Sequence, residues 1–346
     1  MKLLRLLGFL SRPSMSDVKE ASMKLARLFA FLPVICSPLV AAPRTFVSAL
    51  NGSDVNVCSR ALPCRSFAAA IPHTDVAGEV VALDSGGYGP ITMPYAMSIV
   101  APGGIYAGIT AFSGNAITIS STIGFILLKN LSLTSLGADL GIAVNNVRSL
   151  YVEGCTISGF SEGIFFNPTD SDARLYVKNS VIRRSGIGIY LLPSSSEATV
   201  DSVRFYGNDS GVEVTNGEVT VRRSVASGPG TYGFRGESNG KLNIEDSASN
   251  GNVYGFYANA GAIIFMNRCQ AVSNTNAGVN AQFSPSAIYV SDSTIAANAT
   301  GIAATNGGAV FSRCTDVAMA CPAGHFSNTL QMNTTNGAFT GSYTSN

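Results

Sequence analysis

The sequence predicts an all-β fold, a right-handed parallel β-helix of about 9–11 coils. Three observations predict it: a glycine followed by an apolar residue recurs every 22 to 25 residues, a ladder of small residues runs out of phase with it, and apolar residues alternate with period two inside each repeat. In a parallel β-helix each strand pairs with its copy one coil on, which requires such a repeat. The ladder glycines are Gly141, Gly163, Gly188, Gly211, Gly233, Gly255, Gly278 and Gly301.

The composition favours short strands and argues against some partners. Of the 346 residues only 12% are charged and 36 are glycine, which suits many strands joined by tight turns. The formal net charge is +1, whereas nucleic-acid binders carry clustered Lys and Arg, so no nucleic-acid partner is expected. Apart from the N-terminal segment, no uncharged apolar run reaches the ~18 residues of a transmembrane helix.

The N-terminal segment is interpreted as a secretory signal peptide over residues 23–42. Lys24 and Arg27 precede an apolar run over residues 28–40, and cleavage is expected after Ala41 or Ala42. The alternative is a signal anchor that stays in the membrane. A short run interrupted by two prolines favours cleavage, so we expect a secreted or periplasmic protein with no stable membrane insertion.

The remaining segments follow from this assignment. Residues 1–22 precede a second methionine and are interpreted as an upstream extension. We assign residues 43–94 to an N-terminal cap and first coil, 95–320 to the coils, and 321–346 to a C-terminal cap or flexible tail.

The ladder of small residues is expected to form a column inside the coils. Identical small side chains would then stack ~4.8 Å apart along the axis. Its cysteines, which include Cys155 and Cys269, are expected to be inert members of the column. The members are Cys155, Ser180, Ser202, Ser224, Ser247, Cys269, Ser293 and Cys314.

The position just before this column alternates in charge from coil to coil. Unlike charges on neighbouring rungs attract, so we predict a structural ladder of surface ion pairs that helps to fix the register of the coils. Its members are Asp201, Arg223, Asp246, Arg268, Asp292 and Arg313.

The other cysteines indicate disulfide bonds. Cys58 and Cys64 bracket a short turn and are the stronger candidate pair in an oxidising compartment, and Cys314 with Cys321 is the weaker one. The two histidines, His73 and His325, show no zinc-site spacing with the cysteines. We therefore expect no metal centre and no cofactor.

A ligand-binding face is predicted beside the glycine ladder. If the residue after each glycine points inward, the next one points outward, and these outward residues mix aromatic, charged and amide side chains as a sugar-binding surface would. The alternative is an ordinary exposed β-face, and a second outward column, comprising Tyr151, Tyr176, Thr220, Asn243, Phe265 and Tyr289, is nearly as aromatic. The proposed binding residues are Phe165, Tyr190, Glu213, Arg235, Tyr257 and Asn280, flanked by Ala143 and Ala303.

Residues 44–92 resemble the N-terminal part of the right-handed β-helix, pectate-lyase-like superfamily. The similarity lies in the turn Gly52-Ser53-Asp54, the turn at Pro63, the segment Phe67-Ala68-Ala69-Ala70-Ile71 and the Gly86-Gly87-Tyr88 motif. The resemblance implies a short capping helix ending in Ala-Ile, which covers the first coil. It does not imply an activity, since the superfamily includes lyases, hydrolases and non-catalytic surface proteins. Some members trimerise along a flank, so a monomer or a flank-packed trimer is expected.

The known chemistries of this superfamily find little support in the residues. A lyase of this type needs carboxylates for calcium and a free basic side chain; the best candidate is Asp170 with Asp172, near Arg174 and the Arg183-Arg184 pair. For a hydrolase, Glu213 and Glu237 look too isolated to form an acid and base pair. We therefore assign no catalytic residue.

The functional expectation is a secreted, non-catalytic protein that binds polysaccharide or serves as a surface or structural module. The alternative is a divergent lyase acting on an acidic polysaccharide, and only that alternative would require Ca²⁺.

Overall fold

The computed structural model describes residues 41–121, 124–193, 195–312 and 329–331. Over these residues the chain winds as a right-handed parallel β-solenoid of about 10 turns. Each strand pairs in parallel with its copy one coil on, and three sheets, named A, B and C, run along the axis. The predicted fold class and number of coils are confirmed.

Sheet A has strands of mostly five residues, in which the second and fourth side chains are buried and the others face outward. Leu150 and Val152 are typical inward residues. Within the described ranges its strands are β1 (Ala42–Val47), β2 (Thr74–Ala82), β5 (Ser98–Val100), β8 (Phe125–Lys129), β11 (Ser149–Glu153), β14 (Arg174–Lys178), β17 (Glu197–Asp201), β20 (Glu218–Arg222), β23 (Lys241–Glu245), β26 (Ile263–Asn267), β29 (Ala287–Ser291) and β32 (Ala309–Ser312).

Sheet B has shorter strands, most of which bury only their central residue, as Ile157, Ile182 and Phe205 show. The described strands are β3 (Gly86–Gly87), β6 (Ala107–Ala111), β9 (Leu131–Ser135), β12 (Thr156–Ser158), β15 (Val181–Arg183), β18 (Arg204–Tyr206), β21 (Val225–Ser227), β24 (Ala248–Asn250), β27 (Gln270–Val272), β30 (Thr294–Ala296) and β33 (Thr329–Gln331).

Sheet C carries the glycine ladder, and the apolar residue after each glycine lies in the core. The described strands are β4 (Ile91–Met93), β7 (Asn115–Ser120), β10 (Leu140–Asn146), β13 (Glu162–Phe166), β16 (Ile187–Leu191), β19 (Ser210–Val214), β22 (Tyr232–Gly236), β25 (Tyr254–Asn259), β28 (Ala277–Gln282) and β31 (Thr300–Thr305).

The ladder positions are occupied by glycine because the structure has no room for a side chain there. A Cβ atom built on any of the seven from Gly141 to Gly278 would lie 2.3 to 2.9 Å from the carbonyl oxygen of the next ladder glycine. Real Cβ atoms do not approach oxygen so closely. The period in the sequence therefore reports a close approach between coils, repeated at every rung.

Within the described residues, which do not include Cys314, the small-residue column is confirmed except at one coil. Backbone hydrogen bonds place Val203, not Ser202, in line with Ser180 and Ser224. Ser202 instead occupies the left-handed corner between sheets A and B, with φ of 58°, where neighbouring coils place Arg223 and Asp246. The sequence prediction was wrong there because successive coils differ in length by one or two residues.

The charge ladder is therefore one residue out of register at its first member. Asp201 aligns with Arg222 in the sheet, although its carboxylate still pairs with the guanidinium of Arg223. Arg268 and Asp246 form a two-pronged pair, with Nε–Oδ1 2.7 Å and Nη2–Oδ2 3.0 Å. No ion pair of Asp292 is present within the described residues, to which Arg313 does not belong.

A ladder of buried asparagines, which the sequence analysis missed, holds the corner between sheets B and C. The side-chain oxygen of Asn274 accepts from the backbone N–H of Asn252 at 3.1 Å, and its Nδ2 donates to Ser249 O at 3.2 Å. Asn298 repeats the arrangement by accepting from the backbone N–H of Asn274 at 2.9 Å. These amides satisfy backbone groups that the turn buries.

Replacing Asn274 with alanine is expected to lower the free energy of unfolding by about 2 kcal/mol, because a buried N–H and a buried C=O would lose their partners. Urea unfolding followed by circular dichroism measures the change. Asn276→Ala is the matched control, since Asn276 is exposed. Equal effects of the two substitutions would contradict the role of the ladder.

The N-terminal cap has the predicted helix and disulfide. The helix, α1 (Phe67–Ala70), is capped by the Ser66 side chain and continues as a 3₁₀ turn over Ile71–His73. Cys58 and Cys64 are bonded, with their Cα atoms 4.6 Å apart, which confirms that pairing.

The column cysteines are buried thiols. Burial raises the pKa of Cys155 to about 12 and that of Cys269 to about 11. Both thiols are therefore protonated at neutral pH, which agrees with the predicted inert role.

Several predictions fall outside the described residues: the signal peptide over all but its last two positions, and the pair Cys314 and Cys321. The C-terminal segment contributes β33, which pairs with β30. Among the described helices, none has the length and apolar character needed to cross a membrane.

Candidate functional site

The outward column of sheet C has the register that the sequence predicts. Its eight predicted residues occupy successive rungs, and at the N-terminal end the column continues through Thr118 and Thr92. In chain order the eight are Ala143, Phe165, Tyr190, Glu213, Arg235, Tyr257, Asn280 and Ala303.

The column is less exposed than an open sugar-binding face would be. Glu213 and Tyr257 each expose 5% of their surface and Asn280 exposes 6%, whereas Phe165 and Tyr190 are half-buried. The burial arises because neighbouring rungs lie only ~4.8 Å apart and side chains from the same strands flank the column. The outward orientation was predicted correctly, and the exposure was not.

Arg235 holds together two carboxylates from neighbouring rungs. Its Nη1 lies 3.2 Å from Glu213 Oε2, and its Nη2 pairs with Glu237 Oε1. The guanidinium carbon also lies 4.5 Å from the ring centroid of Tyr232, a cation–π contact. Glu213 and Glu237, which the sequence analysis judged isolated, therefore meet at one guanidinium group.

Hydrogen bonds and ring contacts extend this group over four rungs. Asn259 Nδ2 donates to Glu237 Oε1 at 3.2 Å, and the Tyr257 hydroxyl donates to Gln282 Oε1. The Tyr257 ring centroid lies 4.8 Å from that of Tyr232 and 5.0 Å from that of Tyr254. We name this set the Arg235 cluster; its members are Glu213, Tyr232, Arg235, Glu237, Tyr254, Tyr257, Asn259, Asn280 and Gln282.

Burial and charge set the protonation of the cluster. Burial raises the pKa of Glu213, and the positive charge of Arg235 opposes that rise. Burial alone would lower the pKa of Arg235. The carboxylates of Glu213 and Glu237 more than offset that effect, so the pKa is raised overall and the guanidinium stays charged. With both carboxylates ionised the three groups sum to one negative charge, and Arg235 has no free charge for an anionic ligand.

Three buried polar atoms of the cluster have no hydrogen-bond partner within the described residues. They are Arg235 Nε, a donor, and the acceptors Asn259 Oδ1 and Asn280 Oδ1. Solvent does not reach these atoms, so the cluster leaves one buried donor and two buried acceptors unsatisfied.

Most neighbouring rings in the aromatic column of sheet A are stacked, although Phe125 and Tyr151 meet edge to face, with centroids 6.4 Å apart and planes at 88°. Tyr151 and Tyr176 stack with centroids 4.7 Å apart and planes at 9°, and Phe265 and Tyr289 stack at 4.9 Å and 14°. Stacked rings cover each other's faces and present edges to solvent. On sheet C, Phe165 and the next ring, Tyr190, are inclined at 56° with centroids 5.8 Å apart, an arrangement that leaves ring faces uncovered.

A shallow cleft lies at the N-terminal end of the sheet C face. It has a volume of about 370 Å³ and is bounded by the helical cap, at Ala68 and Ile71, and by the outward residues Thr92 and Thr118. The outward column thus leads from this cleft to the Arg235 cluster.

The residues of the predicted lyase site do not form one cluster. Asp170 Oδ1 accepts from the backbone N–H of Asp172 at 3.0 Å, Arg174 pairs with Glu197 at 3.5 Å, and Arg183 lies in sheet B. Within the described residues, the group with metal-ligand proximity is Cys58, Cys64 and His73, and its two cysteines form the disulfide.

Comparisons with known proteins agree with the fold. Residues 162–316 match the family model of the right-handed β-helix region. The structure is similar to a GH136 lacto-N-biosidase from Eubacterium ramulus at 9% identity, with a TM-score of 0.52 and coverage of 92% of this chain and 70% of that one. A polygalacturonase from Erwinia carotovora ssp. carotovora gives 11% identity and a TM-score of 0.43, covering 72% of this chain and 92% of the other. No curated protein matches the sequence. The family match over residues 162–316 and the three-sheet winding agree on the fold, a right-handed parallel β-helix.

Proposed function

We propose that this is a secreted, non-catalytic protein that binds polysaccharide along the outward face of sheet C. The observation that carries the proposal is the arrangement of Phe165 and Tyr190, whose inclined rings adjoin the Arg235 cluster on the next rungs. The ring faces would stack on the apolar faces of sugars, and the cluster would pair with their hydroxyls. The proposal depends on this face and not on the shared fold, since similarity at 9% identity shows the fold alone.

The charges of the cluster favour an uncharged sugar chain. Arg235 is already paired with Glu213 and Glu237, so a uronate bound beside them would meet a net negative charge. Like charges placed close together in a partly buried site repel strongly. We therefore expect neutral polysaccharides to bind more tightly than uronic-acid polymers on this face.

Tyr190→Ala is expected to weaken binding to a neutral polysaccharide at least about tenfold, the loss typical of an aromatic anchor. Affinity gel electrophoresis against a panel that includes xyloglucan, mixed-linkage glucan and dextran identifies a ligand, and calorimetry with that ligand measures the change. Tyr176→Ala is the matched control, because Tyr176 is a half-buried outward tyrosine on sheet A.

Two results would count against this function. One is the absence of binding across the panel. The other is an equal loss of affinity for Tyr190→Ala and Tyr176→Ala, which would show that binding does not depend specifically on the sheet C face.

A further inference from the structure

Three arginines lie together on sheet B without carboxylate partners. Elsewhere in the described chain most arginines form ion pairs: Arg44, Arg174, Arg222, Arg223, Arg235 and Arg268 each contact Asp or Glu. In contrast, the guanidinium groups of Arg183, Arg184 and Arg204 form no ion pair within the described residues, and all three side chains are exposed.

The strand register places these arginines on two neighbouring rungs. Strands β15 and β18 pair in parallel, with Val181 opposite Arg204 and Arg183 opposite Tyr206. The central residue of each strand is buried, so its two neighbours face outward. Arg184 follows at the corner with φ of 53°, and its backbone N–H donates to Tyr206 O at 3.0 Å. Three positive charges therefore lie across rungs separated by ~4.8 Å.

The outward face of sheet B offers no negative charge to balance them. From β12 to β30 its described outward residues include no Asp or Glu and are mainly small or uncharged, such as Thr156, Ser158, Ser227 and Asn250. The carboxylate at the following corner, Asp209, accepts hydrogen bonds from the backbone N–H of Thr231, at 3.2 Å, and from its hydroxyl. Like charges on neighbouring rungs repel, so folding alone does not favour this arrangement.

We propose that sheet B carries a second binding site, in which Arg183, Arg184 and Arg204 bind the carboxylate or sulfate groups of an acidic polysaccharide. A guanidinium group binds such oxyanions with paired hydrogen bonds. The adjacent Tyr206 is 40% exposed and offers a ring for stacking on sugar. The neighbouring hydroxyl and amide side chains suit a hydroxyl-bearing chain, whereas a nucleic-acid site would need a wider basic surface than a chain of net charge +1 provides.

The test uses the full secreted chain and two anionic probes, polygalacturonate and dextran sulfate, with uncharged dextran and duplex DNA as comparisons. We expect Arg204→Ala to weaken binding to at least one anionic probe about tenfold, and raising the salt concentration to weaken it further. Binding to polygalacturonate alone assigns a uronate site, and binding to dextran sulfate alone assigns a sulfate site.

Arg148→Ala is the matched control, because Arg148 is exposed and carries the same charge in a different part of the coil. Tyr190→Ala should leave binding to the anionic probes unchanged, which separates this site from the face on sheet C. The proposal is overturned if neither anionic probe binds, if Arg148→Ala and Arg204→Ala weaken binding equally, or if DNA binds more tightly with the same dependence on Arg204.

Discussion

Replacing Gly188 with alanine is expected to lower the free energy of unfolding by about 3 kcal/mol, the upper part of the range for overpacking a core. The new Cβ would lie 2.4 Å from the carbonyl oxygen of Gly211 and 2.7 Å from Cδ1 of Phe205. The oxygen belongs to the backbone of the next coil and Phe205 is fully buried, so neither atom can move without disturbing its own neighbours.

Urea unfolding, followed by circular dichroism and by tyrosine fluorescence, would measure this loss. The control is Gly103→Ala, since a Cβ at Gly103 has no heavy atom within 4 Å and its φ is not left-handed. A loss for Gly188→Ala no larger than that for Gly103→Ala would mean that the ladder glycines are not required by close packing between coils.

This packing explains why the architecture was predictable from the sequence. A contact that excludes every side chain at one point of each coil leaves a glycine at each repeat, and such a period is visible without any alignment. The register of residues between neighbouring coils is harder to predict, because some coils contain one or two extra residues at their corners. Ser202 and Val203 illustrate this, since the sequence does not say which of the two enters the column and which turns the corner.

The sequence predicts that the side chains of the candidate site point outward. It does not predict their burial or their contacts with other coils. Alternation of side chains in a strand places Phe165, Tyr190 and Arg235 on the outward face. Glu237 lies just beyond the end of β22, where alternation no longer fixes the direction of a side chain, so its pairing with Arg235 was not predictable in this way. The burial of Glu213 could not be predicted from the sequence, because it arises only when neighbouring coils stack and place Tyr190 and Arg235 on either side of it.

Arg235→Met is expected to lower the free energy of unfolding at pH 7 by about 3 kcal/mol, because it leaves two carboxylates without their shared partner, one of them almost fully buried. Arg268→Met is the matched control. Arg268 also pairs with a carboxylate on a neighbouring rung, that of Asp246, but this pair is exposed to solvent, so little change is expected.

The loss in Arg235→Met should depend on pH in a direction that identifies Glu213. Burial already raises the pKa of Glu213 above its value of 4.5 in the unfolded chain, and without Arg235 it rises further. The folded variant then binds more protons than the unfolded chain, so its stability falls as the pH rises above about 4.5. Unfolding measured at pH 4.5 and pH 7 should show a smaller difference from wild type at the lower pH. Adding Glu213→Gln should remove most of that pH dependence, because an amide does not ionise. A loss that is the same at both pH values would show that Arg235 stabilises the fold through packing and not by neutralising Glu213.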